Sequence, residues 1–341
     1  MHRRFLMLFA LLIAAVALVA ACGDDESEDA TPTSTTTVSS PMGTATPAAV
    51  YPITVKDMLG KDVTIPSEPK RIVAASPSAI ELLYAAGGKA IARSTTAKLP
   101  AEVASLPDIG AAERPSYERI VAQNPDLVLA DASLQAQFAS NFASSLAGVP
   151  VLFVGAQKYD DVAASLRIIG KAVNKPEQAA AAVKQMEDAK TQVKNLTAGK
   201  TALRTLILIG APNDPFVALT DSFVGDLVVL AGGKNIAAGE PQSGPLPGYT
   251  KLSLEKIVAA NPEVILTITA GPPGGPSLAD GIKSNPAYGS LAAVKDGRVH
   301  NLDVEVYLQS PSPRAAKGLT DLVALLYPAM PATATPTSSS R

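Results

Sequence analysis

The chain has 341 residues, a formal net charge of −2, one cysteine and no tryptophan. A near-neutral balance without a lysine or arginine run excludes the electrostatic footprint of a nucleic-acid binder. The lone cysteine excludes an intramolecular disulfide, so the folded part must rest on an apolar core.

The chain opens on a positive stretch, His2-Arg3-Arg4, followed by an apolar run from Phe5 to Val19 that is too short for a comfortable membrane span. This pattern predicts a signal peptide over residues 1–21. Its end, Val19-Ala20-Ala21-Cys22, carries small residues before the cysteine, which places Cys22 where a lipoprotein signal needs a thiol for acylation. Ordinary secretion with Cys22 incidental is the other reading. Residues 22–50 are acidic at first and then almost entirely Ser, Thr, Pro, Ala and Gly. Such a segment cannot bury enough apolar surface to fold and predicts a flexible tether with a reach of roughly 30 Å. Residues 331–341 have a similar composition and predict a disordered tail.

Between these ends, short apolar runs at 71–75, 127–130, 151–154, 205–209 and 264–269 read as buried strands, with helical patterns in the gaps. The alternation predicts an α/β protein with mainly parallel sheets, in which ligands bind beyond the carboxyl ends of the strands. The loops after Ala75, Ala130 and Thr269 therefore matter most. Residues 176–196 are rich in Ala, Lys, Glu and Gln, with Val183, Met186 and Val193 as apolar positions, and predict one helix about 30 Å long. Pro176 suits its first turn and the Gly199 region its end. Two readings are open: a rigid strut between two lobes, or a long surface helix of one domain. The strut reading divides the chain into a first lobe at 51–175, a connecting helix at 176–198 and a second lobe at 199–330.

Self-similarity favours two lobes. Ser116-Tyr-Glu-Arg-Ile-Val-Ala-Gln-Asn-Pro-Asp-Leu-Val-Leu129 recurs as Ser253-Leu-Glu-Lys-Ile-Val-Ala-Ala-Asn-Pro-Glu-Val-Ile-Leu266, identical at eight of fourteen places. Each copy reads as a helix with a serine N-cap, broken at Asn-Pro and followed by a strand. Glu81-Leu-Leu-Tyr-Ala-Ala-Gly-Gly-Lys-Ala-Ile-Ala92 recurs as Asp226-Leu-Val-Val-Leu-Ala-Gly-Gly-Lys-Asn-Ile-Ala237, identical at seven of twelve. Here each helix ends in Gly-Gly, as a cap with positive φ requires. The groove between two such lobes is the natural ligand site. Glu81 and Asp226 head matching helices and should be exposed, either as carboxylates favourable to the helix dipole or as one acid per lobe engaging arginines on a two-fold symmetric partner.

Four stretches carry a family resemblance: 57–60 through Pro69-Lys-Arg-Ile72 with Ser76-Pro-Ser78 and Glu81; Glu118 to Leu129; Ser222 to Ile236; and Asn285-Pro-Ala-Tyr288 through Gly297-Arg-Val299 with Ser312-Pro-Arg314. In these the chain resembles the helical-backbone class of periplasmic binding proteins, which bind cobalamin, ferric siderophores and haem for ABC importers. The resemblance implies two Rossmann-like lobes joined by one long helix, little closure on the ligand, and a monomer tethered outside the cell membrane. It implies no cofactor of its own, the metal chelate being cargo. Glu81 matches the family's first docking acid for the permease dimer; Asp226 stands at the second, where glutamate is usual.

Candidate cleft residues are Ser76, Ser78, Arg114, Tyr117, Asp131, Tyr249, Tyr307 and Arg314. Tyrosines can stack on flat conjugated ligands and donate a hydroxyl, and arginines match carboxylate or catecholate oxygens. Plainer roles are open too: Tyr117 packed in the core of its helix, Arg314 satisfying carbonyls or an acid of the fold. The absence of tryptophan disfavours a corrin sandwiched between aromatic rings. His300, in a strand-like run, reads as a core or edge residue, and no cluster suits a bare metal ion. There is no Gly-x-Ser-x-Gly or His-Glu-x-x-His, so an enzyme is not expected. A tethered chelate scavenger or sensor without a permease is the alternative to the importer.

Overall fold

The computed structural model describes residues 50–328 apart from 213, 244–246 and 272–273. The expected signal peptide, Cys22, most of the tether and the C-terminal tail lie outside the described residues. In the first lobe four parallel strands run in the order Ala90–Arg93, Ile72–Ala74, Leu127–Asp131, Val151–Val154. Helices cover both faces, so strands such as Leu127–Asp131 are apolar up to a closing aspartate and buried at every position. An antiparallel hairpin, Ile53–Lys56 with Asp62–Ile65, precedes this sheet. It lies against the helix Tyr159–Ala172, where the Tyr51 hydroxyl donates to the Ala172 carbonyl at 2.9 Å.

The second lobe repeats the plan with an addition. Leu203–Gly210, Val264–Thr269 and Val299–Asn301 are parallel, and Gly233–Asn235 joins the start of Leu203–Gly210 in the same sense. Phe216–Ala218 and Tyr249–Thr250 extend the sheet antiparallel.

The sequence repeats are repeats in space. Ser116 and Ser253 cap their helices, accepting from the backbone N–H of Arg119 and Lys256 at 3.4 and 3.3 Å. Because proline forbids the helical conformation to its predecessor, Asn124 and Asn261 turn out of the helix at φ 47° and 42°. The acid after each proline then receives the lobe's leading strand: Asp126 accepts from the N–H groups of Lys70 and Arg71, and Glu263 from that of Arg204. Gly87 and Gly232 end the other repeated helix in both lobes at φ 84° and 85°, a conformation that glycine adopts freely.

The helix Pro176–Thr197 is a single element of 22 residues, about 33 Å long. Ala179, Ala182, Val183, Met186 and Val193 form its buried stripe. That stripe packs on Tyr159–Ala172 from the first lobe and on Ala315–Leu326 from the second. The Tyr159 hydroxyl, inside this junction, donates to the Met186 carbonyl at 2.8 Å. One continuous apolar core runs from Val55 and Ile80 through Met186 to Leu227 and Leu326. Each sheet has a separate cluster on its far face, around Phe142 in the first lobe and Ile257 in the second. The two lobes therefore share their largest core, and the described residues form one compact unit.

Candidate functional site

Loops from both lobes enclose a cavity of about 280 Å³. The first lobe contributes residues that follow its strands at their carboxyl ends, among them Ser76, Thr96, Asp131 and Ala156. The second contributes Asp221 to Phe223, Pro247, Tyr249 and the segment 308–311. The loop after Thr269 supplies no lining residue among the described ones; the turn at 305–311 takes that place.

The floor is a network of buried polar groups. Asp131, 4 % exposed, ends its strand. One carboxylate oxygen accepts from the Ser133 N–H and hydroxyl and the Leu134 N–H at 2.8, 2.6 and 3.0 Å; the other accepts from the hydroxyls of Ser76 and Ser78. Ser76 is also the N-cap of the helix Pro77–Ala85, so the helix start and the strand end hold each other. Gln135, fully buried, completes the floor. Its amide donates to the carbonyls of Ala75 and Ala112 at 3.1 and 2.7 Å and accepts from the Asp131 N–H at 2.8 Å. Three loops are fixed by one side chain. Nothing in the local pattern around Gln135 marks it, since its partners come from 60 and 23 residues away.

The opposite wall is more apolar, with Phe223, Leu308, Pro311 and Tyr249. Burial pushes the Tyr249 phenol up to about 12, so it stays protonated and can donate to a ligand oxygen.

The structure brings Ser76, Asp131 and Tyr249 to the cavity, with Ser78 one bond behind Asp131. The other four candidates lie elsewhere. The Tyr117 ring packs edge-on against Phe142 at 5.2 Å, because its helix turns that position toward the core. Tyr307 is 4 % exposed and donates to the Gly318 carbonyl at 2.9 Å. Arg114 is exposed on a short two-stranded turn and does not line the cavity. Arg314 forms a two-pronged ion pair with Glu81, 2.7 Å at each prong. His300 sits in the edge strand Val299–Asn301, where burial lowers its basicity.

Glu81 and Asp226 are not exposed. The Glu81 side chain is 10 % exposed and takes, besides Arg314, the hydroxyls of Ser310 and Ser312 at 2.7 and 2.8 Å. Asp226 accepts from the Tyr159 N–H at 2.8 Å. Each acid thus crosses to the other lobe and meets the start of that lobe's last helix, Ala315–Leu326 or Tyr159–Ala172. They are reciprocal fasteners, placed there because both helix starts offer donors that an acid in the other lobe can reach. The acids that are exposed at matching positions are Glu118 and Glu255, in the first repeat. One turn on, Val121 and Val258 are 48 % and 39 % exposed, unusual for valine.

Among the described residues no group of three or more His, Cys, Asp or Glu is placed to hold a metal ion, and no helix is long and apolar enough to cross a membrane. Residues 72–306 match the family model described as periplasmic binding protein. The chain is 31 % identical to an uncharacterized ABC transporter substrate-binding lipoprotein, YvrC of Bacillus subtilis, over 82 % of this chain and 87 % of that one. It is 28 % identical to the vitamin B12-binding protein of Salmonella choleraesuis, over 60 % of this chain and 73 % of the relative. In space it resembles an ABC transporter substrate-binding protein from Listeria monocytogenes EGD-e, with a TM-score of 0.66 and 26 % identity, over 76 % of this chain and 99 % of the other.

Proposed function

The chain belongs to the periplasmic binding protein family, and from that membership we propose that it is the exported, lipid-anchored solute-binding component of an ABC importer, holding a metal chelate between its lobes for delivery to a permease. The observation that carries this reading is the cavity itself. It is walled by both lobes, lies at the carboxyl ends of the first lobe's strands, and includes Tyr249 beside Phe223 and Leu308. Apolar walls with a few fixed polar groups are what a small-molecule site needs. Its volume lies near the lower end of the usual range of about 300–1,000 Å³, which suits a ligand held by one side and left partly exposed. Asp131 has every oxygen occupied by protein donors, so it serves as a rigid support and not as a free base.

The lipid anchor rests on Cys22 and on the likeness to a lipoprotein. Docking falls to Glu118 and Glu255, whose exposed carboxylates and neighbouring valines give each lobe the same acid-and-apolar spot. A matched pair fits a two-fold symmetric permease and favours the importer over a tethered scavenger. Thermal unfolding in the presence of ferric siderophores, haem and cobinamide tests the ligand class. A true ligand at about 1,000 times its Kd adds about 4 kcal/mol of stability, a rise of several degrees in Tm. No rise with any of them would remove the chelate from this reading.

A further inference from the structure

The charges around the cavity are one-sided. Its lining includes Glu113, Asp131 and Asp221, and among the described residues it includes no lysine, arginine or histidine. Asp131 is saturated by hydroxyl and backbone donors and needs no cation from a ligand. Glu113 and Asp221 differ. Glu113 is exposed and forms no ion pair among the described residues. Asp221 meets only Lys158, at 3.7 Å, with both side chains more than half exposed. Of the other cations, Arg314 is held by Glu81 and Lys98 by Glu305 at 2.9 Å, and Arg114, exposed, does not line the cavity. A ligand seated between the lobes therefore meets one acid on each side, Glu113 from the first lobe without an ion pair and Asp221 from the second with only its long, exposed contact to Lys158. The remaining polar lining, which includes Thr96, Ser133, Gln157 and Gln309, is uncharged and can both donate and accept.

Resting on the reading of this cleft as a chelate site, we propose that its cargo carries no net negative charge and presents hydrogen-bond donors, ammonium or amide N–H, to Glu113 and Asp221. Hydroxamate chelates with a basic tail and amide-fringed corrinoids have this chemistry. Tris-catecholate and polycarboxylate chelates, and haem with its propionates, would set like charge against these acids with no basic residue in the lining to receive it. Like charges across a partly dry cleft discriminate more strongly than the same pair in bulk water.

The test is calorimetric titration of the purified full-length protein with four probes: ferrioxamine B, a ferric trihydroxamate monocation; diaquocobinamide, a cationic corrinoid; ferric enterobactin, a tris-catecholate trianion; and haem. At least one of the two cationic probes binds, and both anionic probes bind at least about thirtyfold more weakly. Glu113→Gln with Asp221→Asn weakens the cationic probe by about tenfold and narrows its lead over the anions, and added salt does the same. Asp188→Asn, which removes an acid from the connecting helix remote from the cleft, leaves both values unchanged. Tighter binding of an anionic probe overturns the charge assignment while leaving the cleft a chelate site. Cationic binding that ignores the double substitution overturns the role of the two acids. Failure of all four to bind overturns both this inference and the reading on which it rests.

Discussion

Asp226 is a carboxyl whose surroundings oppose one another. Burial pushes its proton affinity up, while the Tyr159 N–H and Lys158 pull it down, and burial wins. A carboxyl raised in the folded state keeps its proton where the unfolded chain has lost it. Its contribution is therefore fully present below the ordinary value of 3.8 and is lost as pH rises through the raised value. Asp226→Asn keeps an oxygen for the Tyr159 N–H but cannot ionise. The melting temperature of this variant should gain on that of the wild type as pH climbs from 3.8 to neutrality; a gap that closes over that span would contradict the assignment. At this scale the sequence was half legible. Ser76 and Asp131 stand at strand ends, and strand ends can be located from apolar runs. Tyr117 and Tyr307 pack against protein partners and do not line the cavity, and residue type does not reveal which way a ring points. Glu81 and Arg314 drew separate roles, docking and binding, because nothing in a chain shows that residues 233 apart are partners.

Elements were more legible than side chains. The strands Val151–Val154 and Val264–Thr269 coincide with their apolar runs, because turn residues bound them on both sides and helices cover both faces. The connecting helix ends within a residue of its expected limit. Phe216–Ala218 and Tyr249–Thr250 carry no such apolar signal, being short and stabilised by pairing instead of by pattern. Tyr249 owes its place in the cleft to that pairing. The connecting helix owes its position to a narrow stripe, and Met186, 1 % exposed, is its largest buried side chain. Met186→Ala should cost about 2–5 kcal/mol by lost burial and an unfilled cavity. Chemical denaturation should show one transition displaced to lower denaturant, because this stripe serves both lobes; two separated transitions would mean that the lobes unfold independently.

For the molecule as a whole, the repeated acid and valine on each lobe set the expected mode of delivery. Reversing both charges, Glu118→Arg with Glu255→Arg, should leave chelate affinity within about twofold, since neither residue lines the cavity, and should depress uptake by cells about tenfold or more. Either single reversal should have an intermediate effect. Undiminished uptake by the double variant would place the docking surface elsewhere. The duplication and the helix that joins its halves were legible from the repeated motifs and the 176–196 run; the shared core and the crossed contacts of Glu81 and Asp226 were not, since a repeat speaks of likeness between lobes and is silent on contacts across them.

That join has a consequence for traffic at the membrane. With a common core and two reciprocal fasteners across the waist, the distance between Glu118 and Glu255 should change little on loading. Empty and filled carriers would then offer a permease nearly the same footprint and compete for it as equals. Import should therefore slow when carriers greatly outnumber available cargo.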